Sequence, residues 1–241
     1  MKLGTAENQM DEAVKLRNKR FALVTIGQSP RPDIAPDLIA AFDASCHFTE
    51  FGALDGLEPD EIRQLTAKEG ERRLVSRLVD GTEVVCSEEA IERRLKDLFA
   101  AIPAKDFDAI LLMCSGKLEN IEHELPVYCP FDALTVEIQA RTDRGQKIGM
   151  ISPDKGQISK MQELFEGAKS ASFASASPYG ADEFVEAGAA LQGTDFIIMN
   201  CMGYDATMAE KVEEAAGVAT TTVRDIFMKH AVTGLSLQMS T

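Results

Sequence analysis

The chain has 241 residues, of which 45% are hydrophobic and 27% are charged, and these proportions are typical of a globular protein and exclude disordered and fibrous classes. Its formal net charge of −14 argues against nucleic-acid binding, because that activity requires clustered Lys and Arg. No segment approaches the roughly 18 apolar residues of a membrane span, so we predict a cytoplasmic protein that binds no membrane.

The first half of the chain predicts strands that alternate with helices. The continuous apolar run from Phe21 to Ile26, ended by Gly27, is typical of a strand buried on both faces. Asp80-Gly81 is a turn signal that indicates a hairpin. The predicted elements are a flexible leader over 1–20, strands over 21–26, 46–54, 75–78, 83–86 and 109–113, a helix carrying Ile34, Leu38, Ile39 and Phe42, helices over 59–68 and 88–101, and a loop then a helix within 126–142 with Val136 and Ile138 inward.

The second half repeats this alternation. The predicted elements are strands over 147–151, 170–176 and 195–199, and helices over 157–167, 181–191 with Phe184, Val185 and Leu191 buried, 207–216 and 222–237. Strands that alternate with helices imply right-handed crossovers and mostly parallel sheets with helices on both faces. The sequence therefore predicts the α/β class.

Two distant segments share one pattern. Residues 106–116 and 193–203 each have an acidic entry, an apolar strand and then Cys-x-Gly, at Cys114 and Cys201. The repeat predicts two pseudo-symmetric lobes that each bring one thiol to an interlobe cleft. We place the first lobe at 21–144, the second at 145–222, and a C-terminal helix at 223–241 that packs back on the first lobe.

The chemistry of this cleft follows from its position, because ligands of parallel sheets bind beyond the carboxyl ends of the strands. We expect Cys114 and Cys201 each to start a helix, whose dipole would lower the thiol pKa. Two opposed thiols suit removal of a proton α to a carboxylate and its return on the other face, without metal or organic cofactor. Arg31 is a candidate for bidentate carboxylate binding. The other candidate substrate-binding residues are Thr25, Gln28, Ser29, Ser115, Gly116, Ser152, Met202 and Gly203.

Other interpretations stay open. A cysteine after a buried strand is often a small apolar filler, and we assign that role to Cys46, Cys86 and Cys129. The cleft also suits a non-catalytic anion-binding or regulatory protein, or a one-cysteine decarboxylase or hydrolase. Five cysteines without C-x-x-C spacing and three histidines indicate neither disulfides nor a zinc site. The expected ligand is a small carboxylate or amino-acid derivative, and a homodimer is left open.

Three segments together resemble the AroM family: Phe21 to Arg31, containing TIGQSPR, Ile110 to Gly116, and Ile197 to Tyr204. The likeness spans roughly residues 20 to 237. More distantly, this family is similar to the aspartate/glutamate racemase superfamily, which includes hydantoin racemases, maleate isomerases and arylmalonate decarboxylases.

The superfamily resemblance implies two flavodoxin-like, three-layer lobes and cofactor-independent chemistry by one or two cysteines. By position, Cys114 and Cys201 correspond to the catalytic cysteines of the first and second lobes. The amino-acid racemases have Cys-Asn-Thr and Cys-Thr-His, whereas this chain has Cys114-Ser-Gly and Cys201-Met-Gly. Because the Thr and His of the amino-acid racemases are replaced, the substrate need not be the one that those enzymes use. The Gly that follows the second cysteine resembles the pattern of the hydantoin racemase and decarboxylase branches.

Overall fold

Alternating apolar runs and amphipathic segments form strands and helices in a computed structural model that describes residues 16–119, 122–165 and 171–238. The strands are β1 Arg20–Thr25, β2 His47–Gly52, β3 Arg73–Arg77, β4 Glu83–Ser87, β5 Ala109–Leu112, β6 Val127–Tyr128, β7 Ile148–Ser152, β8 Ser172–Ser175, β9 Phe196–Met199 and β10 Thr220–Thr222. The helices are α1 Ala35–Ala40, α2 Pro59–Gln64, α3 Glu88–Ala101, α4 Pro130–Thr142, α5 Ile158–Leu164, α6 Phe184–Ala189, α7 Ala206–Ala216 and α8 Val223–Gln238.

The strands form two parallel sheets with the same topology. The first sheet has the order β2-β1-β5-β6, and the second, read from its other edge, has the order β8-β7-β9-β10. Each edge strand β6 or β10 is followed directly by a long helix, α4 or α8, and these two helices pack against each other. The first lobe differs by an insertion between β2 and β5 that contains the antiparallel hairpin β3-β4. The predicted α/β class and the pseudo-symmetric pair of lobes are confirmed.

Alternation along the strands divides the apolar residues among three cores. Phe21 and Leu23 of β1 face the same core as Ile148 and Met150 of β7, and this core lies between the lobes. Helix α8 contributes to it through four residues that are fully buried, namely Val223, Phe227, Ala231 and Leu235. The opposite faces of the sheets pack against α3 in the first lobe and against α6 and α7 in the second. Each sheet therefore lies between layers of helices, as the resemblance implied.

Local sequence explains the bounds of the best-defined helices. Helix α3 buries Ile91, Leu95 and Phe99, which recur every four residues on one face. Helix α7 begins after Asp205, whose side chain accepts a hydrogen bond from the Met208 N–H at 2.9 Å, and it ends at Gly217 in the left-handed region. These signals match the predicted bounds of both helices to within one residue.

Some details differ from expectation. Val136 and Val185 were predicted to point inward, but they are 58% and 55% exposed, whereas Ile138 is buried as predicted. Residues 1–15 of the predicted leader lie outside the described residues, while Leu16 is buried in the interlobe core and Arg20 starts β1. The proposed lobe boundaries stay a prediction. Within the described ranges, no helix has the length and apolar character needed to cross a membrane.

An interlobe cavity lined by two cysteines

Cys114 and Cys201 reach one cavity from equivalent positions in the two lobes. Each lies two residues beyond an inner strand, β5 or β9, because these strands end at Leu112 and Met199. The cavity has a volume of about 60 Å³, which is room for a small molecule of a few heavy atoms. Of the predicted site residues, the structure brings seven to its wall: Arg31, Cys114, Ser115, Gly116, Cys201, Met202 and Gly203.

The Cys-x-Gly repeat forms the same turn twice. The Gly116 N–H donates to the Cys114 sulfur at 3.4 Å, and the Gly203 N–H donates to the Cys201 sulfur at 3.5 Å. The Ser115 hydroxyl donates to the Asn200 carbonyl at 3.3 Å and so joins the two turns across the cavity. The sequence repeat therefore corresponds to a structural repeat at the level of single hydrogen bonds.

The expected lowering of the thiol pKa values is wrong for this state of the protein. Cys114 and Cys201 are 6% and 8% exposed, and burial raises the pKa of Cys114 to about 12 and raises the pKa of Cys201. Neither thiol starts a helix, because the next helices in the described chain begin at Pro130 and Ala206. Desolvation therefore has no helix dipole to oppose it.

The two thiols nevertheless differ in their charged surroundings. For Cys201, burial is opposed by the Gly203 N–H and by the charges of Arg31 and Arg224, which lower its pKa, while the more weakly acting charge of Asp33 raises it. For Cys114, burial is opposed by the Gly116 N–H, whereas Cys201 and Cys129, when they are ionised, and the nearby Glu88 raise its pKa further. The structure therefore favours the thiolate form at Cys201 over that at Cys114.

Arg31 is buried and has all of its donors engaged by protein groups. It forms a bidentate pair with Asp33 at 2.9 and 2.7 Å, and it donates to Thr25 at 2.9 Å, to Ser76 at 3.4 Å and to the Tyr179 hydroxyl at 2.7 Å. Burial is the largest single effect and lowers the pKa of Arg31, but the Asp33 hydrogen bonds and the charge interactions with Tyr179, Asp33 and Cys201 together hold it above its usual value. Arg31 thus links the first lobe to Tyr179 of the second.

The remaining predicted binding residues lie outside the cavity wall. Thr25 contacts Arg31, as described above. The Gln28 side chain accepts from the Val79 N–H at 3.0 Å, and Ser29 donates to Asp55 from both its N–H and its hydroxyl at 2.7 and 2.6 Å. The Ser152 hydroxyl donates to the Asp154 carbonyl at 3.1 Å. These groups hold the strand-end loops in place.

Sequence reasoning missed several residues of the site because their partners are far away in the chain. Tyr179 and Lys160 lie on the second lobe, and they line the cavity together with Glu88 of the first lobe. Arg224, at the start of α8, donates two hydrogen bonds to the Met202 carbonyl, from Nε at 2.9 Å and from Nη2 at 2.7 Å. Met202 directly follows Cys201 in the chain. A local sequence pattern cannot predict contacts between residues so far apart in the chain.

The cavity wall carries an excess of positive charge. Its charged side chains are the cations Arg31, Arg73, Lys117 and Lys160 and the single acid Glu88. Lys160 forms an interlobe ion pair with Glu88 and also donates to the Lys117 carbonyl at 3.4 Å. Three of these cations have acidic partners, since Arg31 pairs with Asp33, Arg73 with Asp154 and Lys160 with Glu88. The attraction of the wall for a small anion is therefore weaker than the count of cations suggests.

Solved structures with this fold include racemases and isomerases. An allantoin racemase from Klebsiella pneumoniae is 12% identical, with a TM-score of 0.55 and coverage of 91% of this chain and 88% of that chain. The maleate isomerase Iso from Pseudomonas putida S16 is 11% identical, with a TM-score of 0.50 and coverage of 90% and 92%. A glutamate racemase from Aquifex pyrophilus is 13% identical, with a TM-score of 0.54 and coverage of 89% and 83%. At these identities the likeness concerns the fold.

Comparison of the sequence identifies the family as well as the fold. A search of the curated proteins finds no match. The family model described as "AroM protein" matches residues 21–231, which is most of the chain and includes both Cys-x-Gly turns. The chain therefore belongs to the AroM family.

Proposed function

We propose that this protein is a cofactor-independent racemase or isomerase of a small carboxylic acid or amino-acid derivative, with Cys114 and Cys201 as opposed acid and base. The observation that carries the proposal is that equivalent strand ends of two topologically matched sheets bring one thiol each to the wall of a single cavity. Structural neighbours named as racemases and isomerases of allantoin, maleate and glutamate support the reaction class.

The charged surroundings suggest which thiol acts as base. The Cys201 thiolate, favoured by Arg31 and Arg224, takes the proton from the α carbon, and the electron pair of that C–H bond moves into the carboxylate. The Cys114 thiol then delivers its proton to the opposite face and becomes the thiolate. The reverse reaction exchanges the two roles, so atoms and charge balance in either direction.

Burial sets a condition on this mechanism. Because desolvation is the largest cause of both raised pKa values, two neutral thiols are the resting state. Water that enters with the substrate rehydrates the sulfurs and lowers their pKa values toward the ordinary range. This water also accepts the Cys201 proton, which gives the thiolate that starts the reaction. The proposed reaction therefore includes an opening of the interlobe cavity before proton transfer.

To bind the substrate carboxylate, a cation must have at least one N–H group that is not already hydrogen-bonded to the protein. Arg31 has five N–H groups and five protein acceptor contacts, so it acts as a structural link between Asp33 and Tyr179. Lys160 has three ammonium protons and hydrogen bonds to two groups, Glu88 and the Lys117 carbonyl. We assign carboxylate binding to Lys160, which lines the same cavity as the turn residues Ser115 and Gly203.

The test is hydrogen exchange at the α carbon in D₂O, followed by NMR over a panel of small acids that includes aspartate, lactate and N-carbamoyl amino acids. We expect Cys114→Ala and Cys201→Ala each to slow exchange by about 10²- to 10⁴-fold, the usual contribution of an acid or base. Cys86→Ala is the matched control, because this thiol lies outside the cavity wall and is not among the groups that shift the pKa of either cavity thiol. Exchange at the parent rate in both cavity variants would refute the two-thiol mechanism, and loss in only one would favour one-cysteine chemistry.

A further inference from the structure

Asn200, which immediately precedes Cys201, has a buried acceptor with no partner. Its side-chain Oδ1 is closed off from solvent and receives no hydrogen bond, and within the described residues the only other side-chain atom of this kind is Thr142 Oγ1. The backbone of Asn200 is fixed on both sides, because its N–H donates to the Ile151 carbonyl at 2.7 Å and its carbonyl accepts from the Ser115 hydroxyl at 3.3 Å. The side chain therefore cannot move away with its backbone to find a partner.

An unpaired buried amide oxygen is costly, because it has lost its hydrogen bonds to water and gained none in return. Thr142, at the end of α4, is not among the residues that line the cavity, whereas Asn200 lies in the cavity wall between the two Cys-x-Gly turns. A ligand in this cavity would have its reacting carbon close to the two sulfurs. Asn200 Oδ1 has no surface open to the cavity in this state, so a donor on the same ligand supplies the missing hydrogen bond only once the cavity widens to admit the ligand.

We propose that Asn200 is a specificity-determining residue whose Oδ1 accepts a hydrogen bond from an N–H or O–H group of the substrate. The inference rests on the proposed function and narrows its substrate to acids that carry an amino, acylamino or hydroxyl group near the reacting carbon. A plain carboxylic acid of the same size leaves the amide oxygen unpaired and binds more weakly.

Calorimetric binding of two matched pairs of acids tests the assignment, and the pairs separate the two kinds of donor. Aspartate against succinate tests an N–H donor, and lactate against propionate tests an O–H donor. For at least one pair we expect the parent protein to prefer the donor-bearing acid by about tenfold, within the range for one buried hydrogen bond. In Asn200→Leu this ratio should fall to about one, while Thr142→Val should keep the parent ratio.

Two further variants make the result specific to the acceptor. Asn200→Asp offers acceptors only, so it should weaken both acids of a pair by a similar factor and retain the preference for the donor. Without any ligand, Asn200→Leu should raise the melting temperature by a few degrees, since it removes an unpaired polar group without leaving a cavity, and Thr142→Val should do the same.

The outcomes separate this inference from the proposed function. A parent protein that binds both acids of each pair equally, or an Asn200→Leu variant that keeps the preference, overturns the role of Asn200. If α-proton exchange continues at the parent rate in both Cys114→Ala and Cys201→Ala while the donor preference is intact, the two-thiol reaction is overturned. Asn200 then remains a recognition residue. A lower melting temperature for Asn200→Leu would show that its amide has a structural partner and would count against the assignment.

Discussion

Gly203 lets Tyr179 and Pro178 approach the Cys201 turn, because it has no side chain. A Cβ built at this position would lie 2.2 Å from the Tyr179 hydroxyl oxygen and 2.9 Å from Cγ of Pro178, which are distances that real atoms do not adopt. The close approach lets Tyr179 lie over the Cys201 turn while its hydroxyl accepts from Arg31 at 2.7 Å. The second Cys-x-Gly turn thus requires glycine for a packing reason.

We predict that Gly203→Ala displaces Tyr179, breaks its hydrogen bond with Arg31 and costs about 1–3 kcal/mol of stability, as overpacking does. Urea unfolding measures the loss, and α-proton exchange should fall with it because Cys201 loses its neighbour. Gly116→Ala is the control from the other turn, where the nearest atom would be Cδ2 of Leu74 at 3.1 Å, the movable end of an aliphatic side chain. Equal losses in the two variants would contradict the role given to Tyr179.

At the scale of elements, α3 and α5 are joined across the cavity by Glu88 and Lys160. Their side chains are 8% and 17% exposed, so the pair is poorly solvated. Glu88 is the first residue of α3, where the helix dipole favours a carboxylate, and Arg72 lies at 3.8 Å from it. Removing Lys160 leaves the buried Glu88 carboxylate with only the more distant Arg72 and the helix dipole to compensate its charge.

We predict that Lys160→Met lowers the free energy of unfolding by about 1–3 kcal/mol, because Glu88 keeps Arg72 as a partner, and that the double variant with Glu88→Gln recovers part of the loss. The control pair is Glu89 with Arg93 on the same helix, which is 81% and 69% exposed. Arg93→Met should cost less than about 0.5 kcal/mol, the range of solvated helical pairs. A coupling energy for Glu88 and Lys160 as small as that of the exposed pair would contradict the interlobe link.

The elements also show what a sequence can predict. Helix α3 and strands β1, β5, β7 and β9 follow from apolar periodicity, because each buries a long, continuous pattern. Strands β6 and β10 have two and three residues, too few to form a period. Val136 and Val185 were wrongly predicted to be buried, because a single apolar residue on a helix does not show which face of that helix packs against the core.

The site was predictable only in part. The repeated Cys-x-Gly pattern located both thiols, because it depends on chain positions alone. Their raised pKa values depend on tertiary burial, because Cys114 packs in the outer core of the first lobe and Cys201 in that of the second. The Arg31 to Tyr179 contact joins residues 148 apart in the chain. Such properties arise from the packing of the lobes, so neither the local sequence nor its periodicity contains them.

At the scale of the whole molecule, the lobes are held together by a shared apolar core as well as by polar links. Strand residues of both sheets and the buried face of α8 meet in that core. Arg224 adds a polar link, since it joins the Met202 carbonyl in the second lobe to Asp37 of the first at 2.5 Å. Opening of the cavity must therefore be a limited movement that leaves this core packed.

The same burial makes the protein sensitive to alkali through its thiols. Desolvation raises the pKa of Cys86 to about 11, that of Cys129 to about 11 and that of Cys114 to about 12, from an ordinary value near 9.0. These groups are therefore neutral in the folded protein at pH values where they ionise in the unfolded chain. Their stabilising contribution is complete below pH 9 and is lost as the pH rises toward 11 or 12.

We predict that the free energy of unfolding, measured with urea under reducing conditions, falls between pH 9 and pH 10.5 by about 1.4 kcal/mol per pH unit for each fully buried thiol. Cys86→Val tests the assignment, because Cys86 is 2% exposed in the outer core of the first lobe and burial is the cause of its raised pKa. This variant should retain the parent stability near pH 8 and lose less of it at pH 10.5. An identical decline in parent and variant would show that groups other than this thiol control the alkaline loss.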